Sequence, residues 1–327
     1  MMSNPEPIMQ VQNLYKYYDA GRHLFARSKD QVKAVDDVSF QVDYGSTFGL
    51  VGESGCGKST IARLLLRLIT ATDGKAIFEG RDLFSLPNSE MREIRRNIQM
   101  IFQDPYSSLN PRLQIRSIVA EPLETHHIGT TAEQREAVKN ILHTVGLPED
   151  SGTRYAHEFS GGQRQRIGIA RALITNPKFI VCDEPISALD VSIQAQIINL
   201  LRDLQEQNQL TYLFITHDLR IVNFLCDHVA VMYLGKLVET GPVKDVFTHR
   251  THPYTQALFS AIPIPDPKYQ KNEIFLDGDV PSPINPPSGC RFHTRCAFVM
   301  PICSEKEPRL HEIAPGHYCA CHLHTDY

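Results

Sequence analysis

Residues 52–60 read Gly-Glu-Ser-Gly-Cys-Gly-Lys-Ser-Thr, the G-x-x-x-x-G-K-[ST] spacing of a phosphate-binding loop. Gly52, Gly55 and Gly57 allow the tight turn that brings backbone N–H groups against phosphate oxygens. Lys58 can reach the β- and γ-phosphates, and Ser59 offers a hydroxyl to Mg²⁺. Ser54, Cys56 and Thr60 complete the loop and count with it as candidate nucleotide contacts. The flanks agree. Thr47–Val51 predicts a short buried strand, and Ile61, Leu64, Leu65 and Leu68 then recur at helical spacing. Such a helix turns its positive end toward the phosphates. The loop implies a nucleoside triphosphate and leaves open what its energy drives.

The bounds around this loop are broad. A chain of 327 residues suffices for two domains, or for one large α/β domain with an appendage. Its 42% hydrophobic content is ordinary for a globular protein. With 33 basic and 37 acidic residues the formal charge is −4, which lacks the basic footprint of a general nucleic-acid binder. No stretch approaches the roughly 20 apolar residues of a membrane span. Met1–Gln10 has no basic-then-apolar signal pattern. The expectation is a soluble chain that stays inside the cell and meets any membrane through partners.

Other stretches follow in order. Residues 8–18 alternate well enough for an edge strand, and Tyr18 could either stack on a purine or pack on the sheet. Residues 19–33 read as a loop insertion, and Val35–Val42 as a strand preceded by a turn at Asp36-Asp37. Ile98–Phe102 predicts a strand that Pro105 ends, leaving Gln103 at a strand edge where α/β sheets bind ligands. Residues 113–150 read as mostly helical, with a break at Glu121-Pro122. His126 and His127 read as solvated. Ser160, Gly161, Gly162 and Gln163 open a helix and make a second candidate anion site. Phe179–Glu184 is an apolar run ending in two carboxylates. Such a pair is often a solvated turn, but beside a phosphate loop Asp183 suits Mg²⁺ and Glu184 suits a base for water. Tyr212–His217 repeats the pattern with a histidine at its tip. Val229–Tyr233 and Leu237–Glu239 predict a hairpin.

The eight cysteines are unevenly spread: Cys290, Cys296, Cys303, Cys319 and Cys321 cluster after a proline-rich stretch, residues 263–289, that reads as a linker. A chain expected to stay inside the cell meets a reducing compartment, which disfavours a disulfide set. The spacing departs from tight C-x₂₋₄-C zinc pairs. By itself it leaves iron–sulfur and zinc open.

Taken together these segments resemble an ABC transporter nucleotide-binding subunit. Gly52–Thr60, the Gln103 loop, Phe159-Ser160-Gly161-Gly162-Gln163, Phe179–Glu184, Ser187-Ala188-Leu189-Asp190 and His217 stand in that family's order across about residues 8–262. Phe159 replaces the commoner Leu. His252-Pro253-Tyr254-Thr255, Pro263–Pro267 and Gly289-Cys290 onward are similar to the tail of peptide- and nickel-importer ATPases. The closest likeness is to the second ATPase of dipeptide and oligopeptide importers. The resemblance implies an α/β fold with a RecA-like core sheet, an antiparallel β subdomain and a helical subdomain near 105–175, with a small cysteine-rich region at 290–327.

It also implies roles. Tyr18 would stack on adenine. Gly57, Lys58 and Ser59 would hold phosphates and Mg²⁺. Gln103 would touch Mg²⁺ or the attacking water and sense the membrane partner. Asp183 would bind Mg²⁺, Glu184 would be the base, and His217 would contact the γ-phosphate. Ser160 and Gly162 would close on ATP held by the opposite subunit, with Asp190 coupling the two sites. Cys290, Cys296, Cys303 and Cys321 would hold a [4Fe-4S] cluster, leaving Cys319 spare. The implied partners are a second ATPase subunit, paralogous or identical, two membrane permeases and an extracytoplasmic solute-binding protein, with no nucleic acid. The implied location is the cytoplasmic face of the inner membrane. The implied cargo is di- or oligopeptide; nickel or sugar import, or a soluble ABC ATPase not tied to transport, are the alternatives. The double nucleotide domain or coiled-coil insertion usual in the soluble class is absent from this sequence.

Overall fold

A computed structural model describes residues 7–19, 30–261, 274, 276 and 278–324. The chain forms two compact units. One comprises Met9–Gln41, Thr47–Phe84 and Thr216–Tyr327; the other is chiefly Val42–Ser46 and Ser85–Ile215.

The first unit, which carries the phosphate loop, begins with β1 (Met9–Asp19), β2 (Gln31–Val42), β3 (Thr47–Val51), α1 (Lys58–Leu65), β4 (Asp73–Phe78) and β5 (Arg81–Asp82). An antiparallel sheet takes the order β2-β1-β4-β5. β1 is therefore an inner strand and not the expected edge: Met9 faces Phe78 and Val11 faces Ala76 across the ladder. β2 starts at Gln31, four residues earlier than Val35, and passes through Asp36-Asp37 without a turn, Asp37 absorbing the kink at φ 60°. Most of the predicted insertion, residues 20–29, lies outside the described residues. α1 buries Ile61, Leu64 and Leu65 as its period demands, but ends before Leu68, which is 52% exposed.

In the second unit, α2 (Asn88–Ile94), β6 (Ile98–Ile101), α3 (Pro105–Ser108), α4 (Ile115–Thr125), α5 (Thr131–Thr144), α6 (Gly161–Leu173), β7 (Phe179–Asp183), α7 (Val191–Asn208) and β8 (Thr211–Thr216) follow. β6, β7 and β8 are adjacent and parallel, Ile101 opposite Cys182 and Asp183 opposite Ile215. β7 is buried along its whole length, the signature of a parallel strand covered on both faces. The predicted break at Glu121-Pro122 is not there: α4 runs through Pro122 to Thr125. A proline inside a helix costs about 3 kcal/mol. Burial of Ile118, Val119 and Leu123 around it outweighs that cost. The break falls instead at His127-Ile128-Gly129, before Thr130 caps α5 with a reciprocal Thr130–Glu133 box.

The chain then returns to the first unit as α8 (Leu219–Leu225), β9 (His228–Tyr233), β10 (Lys236–Pro242), α9 (Val243–His249), α10 (Pro253–Ser260), α11 (Pro301–Glu305), β11 (His311–Ala314) and β12 (His317–Cys319). β9 pairs parallel with β3, and β9 and β10 form the predicted hairpin. β12 joins β10 antiparallel, Cys319 opposite Glu239. The cysteine-rich segment is thus part of this unit's sheet and core. Phe292 is buried among Tyr233 and Tyr254, in one apolar cluster with Val51 and Val231. Much of the predicted linker lies outside the described residues. Within its described part, Ile284 bridges Val32 and Lys33 donates from its N–H to the Pro283 carbonyl at 3.1 Å.

No helix of the described residues is long and apolar enough to cross a membrane.

Candidate nucleotide site and cysteine pocket

Two of the loop glycines are required by their surroundings. Gly52 has φ 154°, and a Cβ there would stand 2.2 Å from the Met232 carbonyl oxygen. Gly57 has φ 113°, and its Cβ would meet the Ala34 carbonyl oxygen at 2.1 Å. Both contacts are with backbone, which cannot step aside. Gly57 caps α1, whose first residue is Lys58. The Lys58 side chain is buried and its ammonium donates to the Gly52 and Glu53 carbonyls at 2.8 and 2.9 Å. Ser54 and Gly55 are exposed, Ser59 and Thr60 partly so. Burial pushes the Cys56 thiol up, against the pull of the neighbouring Lys58 charge. Tyr18 stands 37% exposed near the end of β1, with the Lys16 ammonium 4.7 Å over its ring. His217 is exposed just past β8, before Asp218 caps α8.

In the second unit β7 delivers Asp183 to its end, 4% exposed. Glu184 then leaves the strand at φ 46°, a left-handed geometry unusual for a side-chain-bearing residue. Its N–H donates to the Ile215 carbonyl at 3.0 Å, and its carboxylate accepts from the Gln103 amide at 3.0 Å. Gln103 and Glu184, 81 residues apart, are thereby brought together. Ser160 caps α6 by accepting the Gln163 N–H, and Gln163 accepts the Ser160 N–H in return. Gly162 is packed hard: a Cβ would lie 2.4 Å from Ile193 Cγ2, in the first turn of α7. Asp190 caps that helix through the Ile193 N–H at 3.0 Å. Phe159 is buried, so the apolar character that a Leu would bring is kept.

The tail forms a separate recess in the first unit. Cys290, Cys296, Cys303 and Cys321 all line it, with Phe292, Phe298 and Leu323 among the walls. Cys319 is fully buried in β12 and does not line it. Each lining sulfur accepts a nearby backbone N–H: Cys290 from Phe292, Cys296 from Phe298 at 3.4 Å, Cys303 from Met300 at 3.5 Å, and Cys321 from Leu323. Burial pushes the Cys290 thiol up to about 12, with the charges of Cys321, Cys303 and Cys296 adding to it. Burial likewise takes Cys321 to about 11. Among the described residues no three His, Cys, Asp or Glu side chains converge tightly enough to hold a single metal ion. None of the eight cysteines is in a disulfide.

Sequence reasoning missed a set of contacts to the loop itself. Glu53 is bound by Arg295 and by the Tyr254 hydroxyl, from 242 and 201 residues away. Nothing in local spacing could have revealed them, although Tyr254 sits in the quoted His-Pro-Tyr-Thr.

The phosphate loop at a strand-to-helix turn, the acidic end of a parallel strand and a capped Ser-Gly-Gly-Gln helix define a nucleotide-hydrolysing cassette. The chain belongs to the ABC transporter family, whose profile matches residues 35–187; the profile of the oligopeptide/dipeptide transporter C-terminal region matches residues 238–303. It is 51% identical to the oligopeptide transport ATP-binding protein AppF of Bacillus subtilis, over 99% of both chains. It is 53% identical to the putative oligopeptide transport ATP-binding protein YkfD of the same organism, over 98% of this chain and 96% of that one. Among solved structures, the dimeric post-hydrolysis ATP-binding cassette MJ0796 bound to ADP and phosphate superposes with a TM-score of 0.64 and 28% identity, covering 72% of this chain and 98% of that one. The protein is an ABC-type ATPase.

Proposed function

We propose that this ATPase is the motor subunit of a di- or oligopeptide importer. The observation that carries this reading is near-end-to-end identity of about half to peptide-transport ATP-binding proteins, tail included. The machinery is assigned accordingly. Lys58 and the loop N–H groups stabilise charge developing on the γ-phosphoryl, with Ser59 and Asp183 as Mg²⁺ ligands. Glu184, already aimed by its Gln103 hydrogen bond, is the base for the attacking water, and His217 contacts the γ-phosphate. Tyr18, exposed on its strand, stacks on adenine. Ser160 to Gln163 face the nucleotide of a second subunit, and Asp190 couples the two sites. A relative solved as a dimer with ADP and phosphate supports that shared-site arrangement.

Gln103 and residues 105–150 dock on the permeases at the cytoplasmic face of the membrane. Phe102, Tyr106 and Leu113 are exposed there, at 40%, 59% and 41%. A solute-binding protein outside the membrane supplies the cargo. The deciding experiment is co-purification from the native membrane. Permeases and a binding protein that retains peptides are expected; a binding protein retaining nickel or sugar moves the chain to a sibling system.

We assign the tail's recess to a [4Fe-4S] cluster on Cys290, Cys296, Cys303 and Cys321. The donor set fits: four thiols around one pocket, each sulfur already receiving an N–H, as thiolates bound to iron do. When bound, the group supplies cross-links between segments 290–303 and 321. Anaerobic preparations should carry about four irons and four sulfides per chain. Serine at any of the four should abolish that content, whereas serine at Cys319 should not. Stoichiometric zinc without iron would replace this assignment.

A further inference from the structure

Glu53 is fixed at three points. Its N–H donates to the Tyr254 hydroxyl at 2.9 Å. Its carbonyl accepts the Lys58 ammonium at 2.9 Å. Its carboxylate receives both outer nitrogens of Arg295, at 2.9 and 3.3 Å. Arg295 is itself nearly buried, its side chain 8% exposed, and also donates to the Tyr233 hydroxyl at 3.4 Å. Tyr233, Tyr254 and Phe292 pack ring against ring beneath it, so the two polar groups that hold Glu53 rise from one aromatic platform. A second tail arginine, Arg291, reaches Asp36 and the Leu234 carbonyl, and Asp36 accepts the Tyr17 hydroxyl at 2.5 Å beside the strand end that carries Tyr18.

Two physical consequences follow. The Gly52 and Glu53 carbonyls set where the Lys58 ammonium waits, and Glu53 cannot rotate without breaking its Tyr254 and Arg295 bonds. An unpaired Glu53 carboxylate would also place a negative charge in the loop that receives a triphosphate, and like charges at that range repel. A bidentate guanidinium cancels the charge and holds the plane of the carboxylate.

We propose that Arg295 and Tyr254 are positioning residues for ATP binding: through Glu53, the C-terminal extension sets the geometry and charge of the phosphate loop. The proposal rests on the ATPase activity and not on the cluster, and its readouts separate the two.

The test measures MgATP affinity with a fluorescent ATP analogue, together with KM and kcat, thermal midpoint and iron content, in the full chain. Arg295→Ala should weaken nucleotide binding roughly tenfold, the size of one charge-assisted hydrogen bond. KM should rise more than kcat falls. Adding Glu53→Gln to Arg295→Ala should recover part of the affinity, because the bare carboxylate is gone. Tyr254→Phe keeps the ring packing and should raise KM about threefold, by removing one acceptor. Iron content should match the wild type in Tyr254→Phe and in Glu53→Gln, which leave the cysteines untouched. Unchanged KM in Arg295→Ala, or a double variant no better than Arg295→Ala alone, would overturn the proposal. So would a lowered thermal midpoint with nucleotide affinity intact, which is the mark of a merely structural contact.

Discussion

The phosphate loop and the Gln103 loop both follow a buried strand, yet they are held in opposite ways. The loop after β3 is fixed at several points: Gly52 and Gly57 stand against backbone from other strands, Lys58 is buried against loop carbonyls, and Glu53 is bound by Arg295 of the tail. The loop after β6 is open. Phe102, Gln103 and Asp104 are all exposed, and the short α3 that follows is held by an Asp104 cap and by Arg164 lying 4.0 Å over the exposed Tyr106 ring. A cradle for phosphates works best preorganised, because N–H groups already aimed at developing charge need no rearrangement. A loop that reports on a partner must be able to move, and movable segments come from the weakly held end of a structure.

The comparison can be broken from either side. The largest effect is expected at Gly57→Ala. Its Cβ would fall 2.1 Å from the Ala34 carbonyl oxygen at a positive φ. Nucleotide affinity should drop on the order of 100-fold, as strain and overlap at a buried backbone demand. Gly55→Ala, with nothing within 4 Å, should lose less; equal losses in an equilibrium binding titration would mean that packing around the loop is not what fixes it.

Next comes Glu184→Gln, which keeps shape and removes the carboxylate proposed as the base. Turnover should fall about 10²- to 10⁴-fold while ATP affinity stays within about twofold. The variant should trap the ATP-bound dimer on a sizing column. Lys58→Ala should instead lose binding, and matching defects in both variants would undo the assignment of roles.

Gly162→Ala should cost about 1–3 kcal/mol in denaturant unfolding, since the new methyl presses on Ile193 Cγ2. Ile193→Ala in the same chain should return part of it. If it does not, contact between α6 and α7 is not what keeps this residue small.

Arg112→Glu, on the open side of the comparison, should be the mildest for the isolated protein. Stability should stay within about 0.5 kcal/mol, as for an exposed site. ATPase activity should persist while peptide uptake in reconstituted transporters falls. Normal uptake would move the coupling surface elsewhere.

The legibility of this protein follows the range of the forces involved. The phosphate loop, the strand of Phe179–Asp183, the capped helix at Ser160 and the β9–β10 hairpin were readable because each is specified by neighbours in sequence. A turn needs glycine, a parallel core strand needs an unbroken apolar run, and a helix start needs an acceptor for its free N–H groups. Pro122 misled for the converse reason: its local penalty is real, but burial of Ile118, Val119 and Leu123 overrides it. β1 misled because alternation reveals a half-buried face and says nothing of how many neighbours a strand has.

The residues therefore determined by themselves that the chain binds a triphosphate, where its carboxylates stand, and that the tail's cysteines form a group. The family resemblance had already singled out four of those thiols and left Cys319 aside; the tertiary structure lines one recess with the four and puts Cys319 in a strand. It alone closed Gln103 onto Glu184, and brought Arg295 and Tyr254 to Glu53. The physical reason is distance along the chain. A hydrogen bond acts over about 3 Å and carries no trace in local spacing when its partners lie 81, 201 or 242 residues apart.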